Sequence, residues 1–342
     1  MTATEGAKGT VLVTGGSGFL GGRVIVDLLE RGYGVRTTVR DAAKGPRIEE
    51  NVSAEVGRPA GIEFFEADLA SDEGWAEAVE GCRYVLHIAS PFAPSKPKDP
   101  QELIRPAVDG ATRVITAALD AGVERVVMTS SVAAIRGSGT PKGDAYTEDD
   151  WTNVETVAAY AQSKTLAEEA AWSLVDSRGE KEKLAVINPS AILGPVMPDD
   201  DSFSLEGIQR LLDGMPGVPR IGFSWVDVRD VSAAHIAAME KPEAGGQRFI
   251  ASGPFLWLLE VSEILREKMP DIAKKAPTRT VPKPVVRILG IFDPGVRALI
   301  GDIGWRSDFD TTRAETVLGV KTRPVEETIV DCAKSLAERA NP

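Results

Sequence analysis

The sequence is poor in the residues that would signal a metal site, a disulfide scaffold or a membrane span. Among 342 residues there are only two cysteines and two histidines. Cys82 and Cys332 are far apart and in no metal-ligand spacing, so neither zinc nor a disulfide framework is expected. Both read as small core residues of a protein kept in a reducing compartment. No uninterrupted apolar run approaches the ~20 residues of a membrane-spanning helix. Met1 to Gly9 is small and polar, without the apolar segment of a secretion signal, which makes the cytoplasm the expected location. Positive charge is also scarce. A formal net charge of −12 argues against nucleic acid held by a general basic field, though it leaves room for a local basic pocket. The remaining composition, 43% hydrophobic and 26% charged, is ordinary for a globular enzyme with one large domain or a large domain and a smaller lobe. No internal repeat or low-complexity segment is present.

What the sequence does contain begins at residue 10. Thr10 to Thr14 is a short apolar run that reads as a buried parallel strand. Gly15-Gly16-Ser17-Gly18-Phe19-Leu20-Gly21 follows at once, then a helix over Arg23 to Arg31 stopped by Gly32, then a strand over Gly34 to Val39. Gly15, Gly18 and Gly21 have the spacing of a dinucleotide turn. The first allows the tight turn, the second lets the backbone approach a pyrophosphate, and the third lets the helix pack close to the strand. The new helix would then point its free N–H groups at the phosphates. At the end of the second strand an NAD site usually places an acidic residue on the ribose 2′-OH. Here the strand ends in Val39-Arg40, with Lys44 and Arg47 close behind. A cation suits the 2′-phosphate of NADP, so NADPH is favoured over NAD. Asp41 keeps NAD open, and Arg36, on the strand itself, is the weaker cation.

Further strands are expected over 61–69, 84–91, 125–131 and 184–190, with helices at Trp75 to Val79 and Ala107 to Ala121 between them. Alternation of this kind implies an α/β fold, a doubly wound Rossmann-type parallel sheet whose ligands bind at the carboxyl ends of the strands. The glycine turn, Asp68-Leu69, Ile88-Ala89-Ser90 and Ser130-Ser131 all fall at such ends. Asp68 could accept from an adenine amine or cap the next helix. The small residues Ile88, Ala89 and Ser90 would let a ribose approach. His87 and His235 read as structural.

Tyr160 and Lys164 are spaced i, i+4, so on a helix both project from one face. A phenol with an unperturbed pKa of about 10 needs a nearby cation to act as an acid/base group near neutrality.

Thr14-Gly15-Gly16-Ser17-Gly18-Phe19-Leu20-Gly21, Thr129-Ser130-Ser131 and Tyr160-Ala161-Gln162-Ser163-Lys164 together resemble the extended short-chain dehydrogenase/reductases. The stretches Val35 to Asp41 and Tyr160 to Trp172 are similar to the dihydroflavonol reductase, cinnamoyl-CoA reductase and microbial aldehyde (carbonyl) reductase group. The resemblance covers nearly the whole chain and is strongest before Pro195. It implies a catalytic set of Ser131, Tyr160 and Lys164, and an Arg40 that contacts the 2′-phosphate. It also implies hydride transfer from nicotinamide to the carbonyl of an aldehyde or ketone, reversible to alcohol oxidation. Tyr160 would be the general acid, Ser131 would orient the carbonyl, and Lys164 would lower the Tyr160 pKa and bond the cofactor ribose. Pro189, Ser190 and Ile192 would lie along the nicotinamide carboxamide. One departure stands out: Arg113 occupies the place where many members carry an Asn of the proton relay.

Residues 1–190 and 222–252 are expected to form the dinucleotide-binding domain. Residues 191–221 and 253–342 are expected to form a smaller, mostly helical substrate lobe, ending in an amphipathic helix over Val325 to Leu336. Phe92, Val132, Met197, Phe203 and Trp225 are candidate pocket residues. Asp199-Asp200-Asp201 reads as a solvated acidic loop, and no metal is expected. The partner is a small-molecule carbonyl or alcohol, with no nucleic acid or membrane; a homodimer fits the superfamily, but no interface is legible. Two other functions compete with this one. A nucleotide-sugar epimerase on the same scaffold is disfavoured by Arg40, and dehydration by Val132-Ala133 after Ser131, where dehydratases tend to carry Asp-Glu. A non-catalytic dinucleotide sensor is disfavoured by retention of Tyr160 and Lys164.

Overall fold

The computed structural model describes residues 8–91, 99–137, 143–198, 203–292, 296 and 300–340. The first six strands are β1 (Thr10–Thr14), β2 (Gly34–Val39), β3 (Glu63–Glu66), β4 (Tyr84–His87), β5 (Arg125–Thr129) and β6 (Leu184–Pro189). Between them run helices α1 (Phe19–Glu30), α2 (Gly45–Val56), α3 (Trp75–Val79), α4 (Gln101–Asp120) and α5 (Ala159–Arg178). The rest comprises β7 (Ala191–Leu193), α6 (Phe203–Asp213), β8 (Val218–Pro219), β9 (Gly222–Asp227), α7 (Val228–Glu240), β10 (Arg248–Ala251), β11 (Phe255–Trp257), α8 (Leu258–Lys268), β12 (Thr280–Val281), α9 (Lys283–Phe292) and α10 (Val325–Ala340).

The large sheet has seven strands in the order β10-β6-β5-β4-β1-β2-β3, and every pairing in it is parallel. The apolar runs of its strands serve both faces. Val11 and Val13 enter the core under α1 and α7, while Leu12 between them enters the core under α3, α4 and α5. That is why β1 reads as continuously hydrophobic rather than alternating. The strand order reverses between β1 and β4, which opens a crevice at their carboxyl ends.

Among the departures from the sequence expectation, three bear on the site. α1 begins at Phe19 rather than Arg23. With Gly18 as its extended N-cap, the glycine turn is itself the start of the helix, and Gly21 and Gly22 are buried within it. α4 begins at Gln101, upstream of the expected Ala107, and runs through Pro106. Proline removes one backbone donor, a loss best tolerated near a helix start. The stretch from 222, expected to return the chain to the dinucleotide-binding domain, first forms β9, which pairs with β7 and β11 in a separate three-stranded sheet. The chain re-enters the large sheet only through α7 and β10. Among the described residues no helix is long and apolar enough to cross a membrane.

Candidate active site

The glycine turn is shaped by close approaches. Gly15 has φ +76°, and a Cβ there would lie 2.9 Å from the Ala89 nitrogen. A Cβ on Gly21 would collide with the Gly15 carbonyl. A Cβ on Gly18, by contrast, would meet nothing nearer than the Gly15 oxygen at 3.5 Å, so this glycine faces open space. No side chain caps α1, which leaves its first N–H groups available at the same place.

That space is part of a cleft of about 590 Å³ lined by Gly15, Ser17, Gly18, Phe19, Leu20, Gly21, Arg40, Lys44, Asp68, Leu69, Ile88, Ala89 and Ser90. Every residue expected along the glycine turn, at the 2′-phosphate end and at the adenine and ribose positions is in this set. Thr38, Val39, Ala67, Ala70, Trp75, Pro91 and Pro106 complete the wall and were not anticipated. Most of them neighbour a residue that was, and strand-end position was the available signal. A larger, more open groove of about 900 Å³ between α3 and α4 contains none of the expected cofactor or catalytic residues.

The charges near the end of β2 divide cleanly. Arg36 donates to Glu63 at 2.6 Å and to the Glu80 carbonyl, and Arg47 pairs with Glu50 at 3.0 Å. Asp41 accepts from Ala43 N–H at 2.9 Å, so its carboxylate caps the following 3₁₀ turn. Arg40 and Lys44 are exposed on the cleft. The acidic residue that kept NAD open is thus committed to the backbone, while two cations remain facing the cleft. Asp68 accepts from Ala70 N–H at 2.8 Å in the turn after β3 and lines the cleft; it does not cap the next helix, whose N-cap is Gly74.

Beyond the cleft, at the ends of β5 and β6, stands a second group. Ser130 and Ser131 differ sharply. Ser130 turns inward and donates to Glu168 at 2.6 Å. The Ser131 hydroxyl accepts from Ala133 N–H at 3.1 Å and lies close enough to the Tyr160 phenol to influence its titration. Tyr160 and Lys164 occupy the first two turns of α5. Tyr160 exposes 41% of its surface and Lys164 only 8%. Burial raises the Tyr160 pKa, and the nearby Ser131 hydroxyl pulls the other way. Burial lowers Lys164 to about 8, with Glu168 opposing. The expected pull of Lys164 on the phenol is not among the influences on Tyr160. Pro189 ends β6, Ile192 lies in β7, and Ser190 between them is buried with a hydroxyl that has no partner among the described residues.

The remaining candidates sort as follows. Arg113 donates to the Leu69 carbonyl and pairs with Asp72, so it braces the loop after β3. His87 bonds Thr14 at 2.9 Å and His235 bonds Thr129 at 2.7 Å, both buried, as structural histidines do. Trp225 is 4% exposed in the main core, and half-buried Met197 packs onto Gly22 of α1. Val132 packs beside the small cluster of Ile135, Tyr146 and Ile250. Phe92, the side chain of Phe203 and Asp199 to Asp201 lie outside the described residues. Both cysteines are buried and unbridged, and no cluster of potential metal ligands occurs among the described residues.

Comparison with known proteins follows the same lines. The sequence model of the NAD dependent epimerase/dehydratase family matches residues 11–251. The chain belongs to this family. Within it, the chain is 36% identical over 270 residues to cinnamoyl-CoA reductase CAD2 of Medicago truncatula, covering 77% of this chain and 81% of that protein. It is 32% identical over 346 residues to tetraketide alpha-pyrone reductase 1 of Arabidopsis thaliana, covering 97% of each. In three dimensions it is similar to the yeast methylglyoxal/isovaleraldehyde reductase Gre2 complexed with NADPH. There the TM-score is 0.79 at 27% identity, covering 96% of this chain and 99% of that one.

Proposed function

We propose that this family member is an NADPH-dependent oxidoreductase that reduces the carbonyl of an aldehyde or ketone and, in reverse, oxidises the alcohol. The observation that carries this is the gathering of Ser131 after β5 with Tyr160 and, one turn along α5, buried Lys164, beside a cleft fitted to a dinucleotide. The fit to NADPH rests on the open backbone at Gly18, the two cations at Arg40 and Lys44, the commitment of Asp41 to its turn, and the unpartnered Ser190 hydroxyl. Residues Gly15 to Gly21 would hold the pyrophosphate, Arg40 and Lys44 the 2′-phosphate, and Asp68 and Leu69 the adenine. Ile88, Ala89 and Ser90 would hold ribose, and Pro189, Ser190 and Ile192 the nicotinamide. The relatives named for cinnamoyl-CoA and for methylglyoxal or isovaleraldehyde have a reducible carbonyl in common, which supports the same reaction class.

When bound, the nicotinamide supplies the hydride. The protein supplies the proton and the geometry. Tyr160, held protonated at neutral pH by burial, donates its phenolic proton to the carbonyl oxygen as negative charge grows there. Ser131, whose oxygen accepts from Ala133 N–H, keeps its O–H to donate to the same oxygen. Lys164, cationic below about pH 8, favours the phenolate left behind and offers donors to the ribose. Residues 191–221 and 253–342 would form the lobe that selects the substrate, with β9 joined to that lobe by its pairing.

The test is to mix purified protein with NADPH or NADH and a panel of aldehydes, ketones and UDP-sugars, following loss of nicotinamide absorbance. Carbonyl-dependent oxidation of NADPH is expected. Tyr160→Phe should abolish it while NADPH still binds, and Ser131→Ala should lower kcat on the order of 10²-fold. Sugar interconversion without carbonyl reduction, or full turnover in Tyr160→Phe, would overturn the proposal.

A further inference from the structure

Tyr160 and Lys164 are followed at the same spacing by Glu168. Glu168 is fully buried, and its carboxylate is surrounded by four donors. One oxygen accepts from Arg248 Nε at 2.5 Å and Trp172 Nε1 at 3.3 Å. The other accepts from the Ser130 hydroxyl at 2.6 Å and Asn188 Nδ2 at 2.9 Å. Asn188 Nδ2 also donates to the Ser131 carbonyl at 3.2 Å. Arg248 comes from the edge strand β10, donates to the carbonyls of Glu148 at 2.7 Å and Asp150 at 3.0 Å, and stacks 3.7 Å from the Trp151 ring centre. One carboxylate therefore ties the helix carrying Tyr160 and Lys164 to the strand end carrying Ser131, and a buried arginine holds that carboxylate in place.

We propose that Glu168, supported by Arg248, is a positioning residue that fixes Ser131 against Tyr160 and Lys164. It rests on the reductase function proposed above. A buried ion pair is a poor source of net stability, since desolvation offsets the attraction. A pair at the junction of α5, β5, β6 and β10 can instead set one arrangement of the three reacting side chains. Glu168 also acts electrostatically. The titratable groups that act with Lys164 are Glu168 on its own helix and His87 at the end of β4. His87, lowered to about 3 by burial, stays neutral in the working range. α4, packed along α5, contributes no charge that acts on Lys164. Glu168 is thus the group that keeps the Lys164 ammonium charged, and removing it moves loss of that charge to lower pH.

Three variants test this, each measured for kcat, KM for NADPH, pH profile and melting temperature. Glu168→Gln should lower kcat by about 10-fold or more with KM for NADPH within roughly two-fold. Its alkaline limb should move down by about one pH unit. Because that variant leaves Arg248 unpaired and could misfold, the double variant Glu168→Gln/Arg248→Met removes both charges. Replacing both members of a buried ion pair is often neutral for stability, so the double variant should keep the wild-type melting temperature within a few degrees and still show the lowered limb. Ser130→Ala breaks one link and spares the ion pair; it should lower kcat several-fold without moving the limb. Unchanged kcat and pH limb in Glu168→Gln, their restoration in the double variant, or a Ser130→Ala variant identical to wild type would each overturn the proposal. Tyr160→Phe inactive alongside any of these results leaves the reductase function standing and removes only the role of Glu168.

Discussion

Arg40→Ala is the sharpest perturbation of the cofactor end. Arg40 is exposed, lines the cleft and is bonded to nothing among the described residues. Its removal should therefore leave the fold alone, with the melting temperature unchanged. Its neighbour Asp41 caps the following turn through Ala43 N–H at 2.9 Å and is not among the residues lining the cleft. A hydrogen bond to a charged partner contributes about 1.5 to 3 kcal/mol, and solvent exposure at Arg40 argues for the lower end. With Lys44 still present on the same wall, kcat/KM for NADPH should fall by roughly 10-fold, since each 1.4 kcal/mol is a factor of ten. NADH lacks the phosphate that Arg40 would meet, so its kcat/KM should change by less than about two-fold. The assay is initial rate against cofactor concentration for both nucleotides at fixed carbonyl substrate, repeated at high salt, where the NADPH advantage should shrink. A parallel fall for both cofactors, or no fall for NADPH, would refute the assignment of Arg40 to the 2′-phosphate.

Two further outcomes follow from the same geometry. Gly21→Ala places a methyl group against the Gly15 carbonyl, so the turn must open; NADPH binding measured by fluorescence titration should be lost or weakened by at least ~10-fold, and unaltered affinity would contradict the close approach described. His87 and His235, lowered to about 3 and about 4, stay neutral in the fold while the unfolded chain takes up protons below about pH 6.5. The stability they support is present above that pH and is lost as pH falls toward their folded values, on the order of 2 kcal/mol per histidine by pH 5. Urea unfolding at pH 7 and pH 5 measures this, and equal midpoints would count against it.

Much of the nucleotide half was legible because its determinants are local. A buried parallel strand is a run of apolar residues, a dinucleotide turn is a glycine spacing, and a cation at the end of β2 is visible in the one-dimensional order. Tyr160 and Lys164 could be placed on one helical face by their spacing alone. Other features depend on which surfaces meet. The path of β9 into the small sheet could not be read from Gly222 to Asp227, because a strand's own residues do not name its neighbour. Trp225 and Met197 look like pocket residues in a lobe until packing buries one in the core and lays the other on Gly22.

The order of residues along the chain was enough for the Rossmann architecture, the glycine turn, the Tyr160–Lys164 pair and the cation at Arg40, since each is written in residues near one another. Packing in three dimensions chose which serine faces Tyr160, set Arg113 to brace the loop at Leu69, and brought Glu168 to Arg248, 80 residues away in sequence. Hydrogen bonds between buried groups depend on how helices and strands pack across the sheet, and spacing along the chain carries no record of that contact.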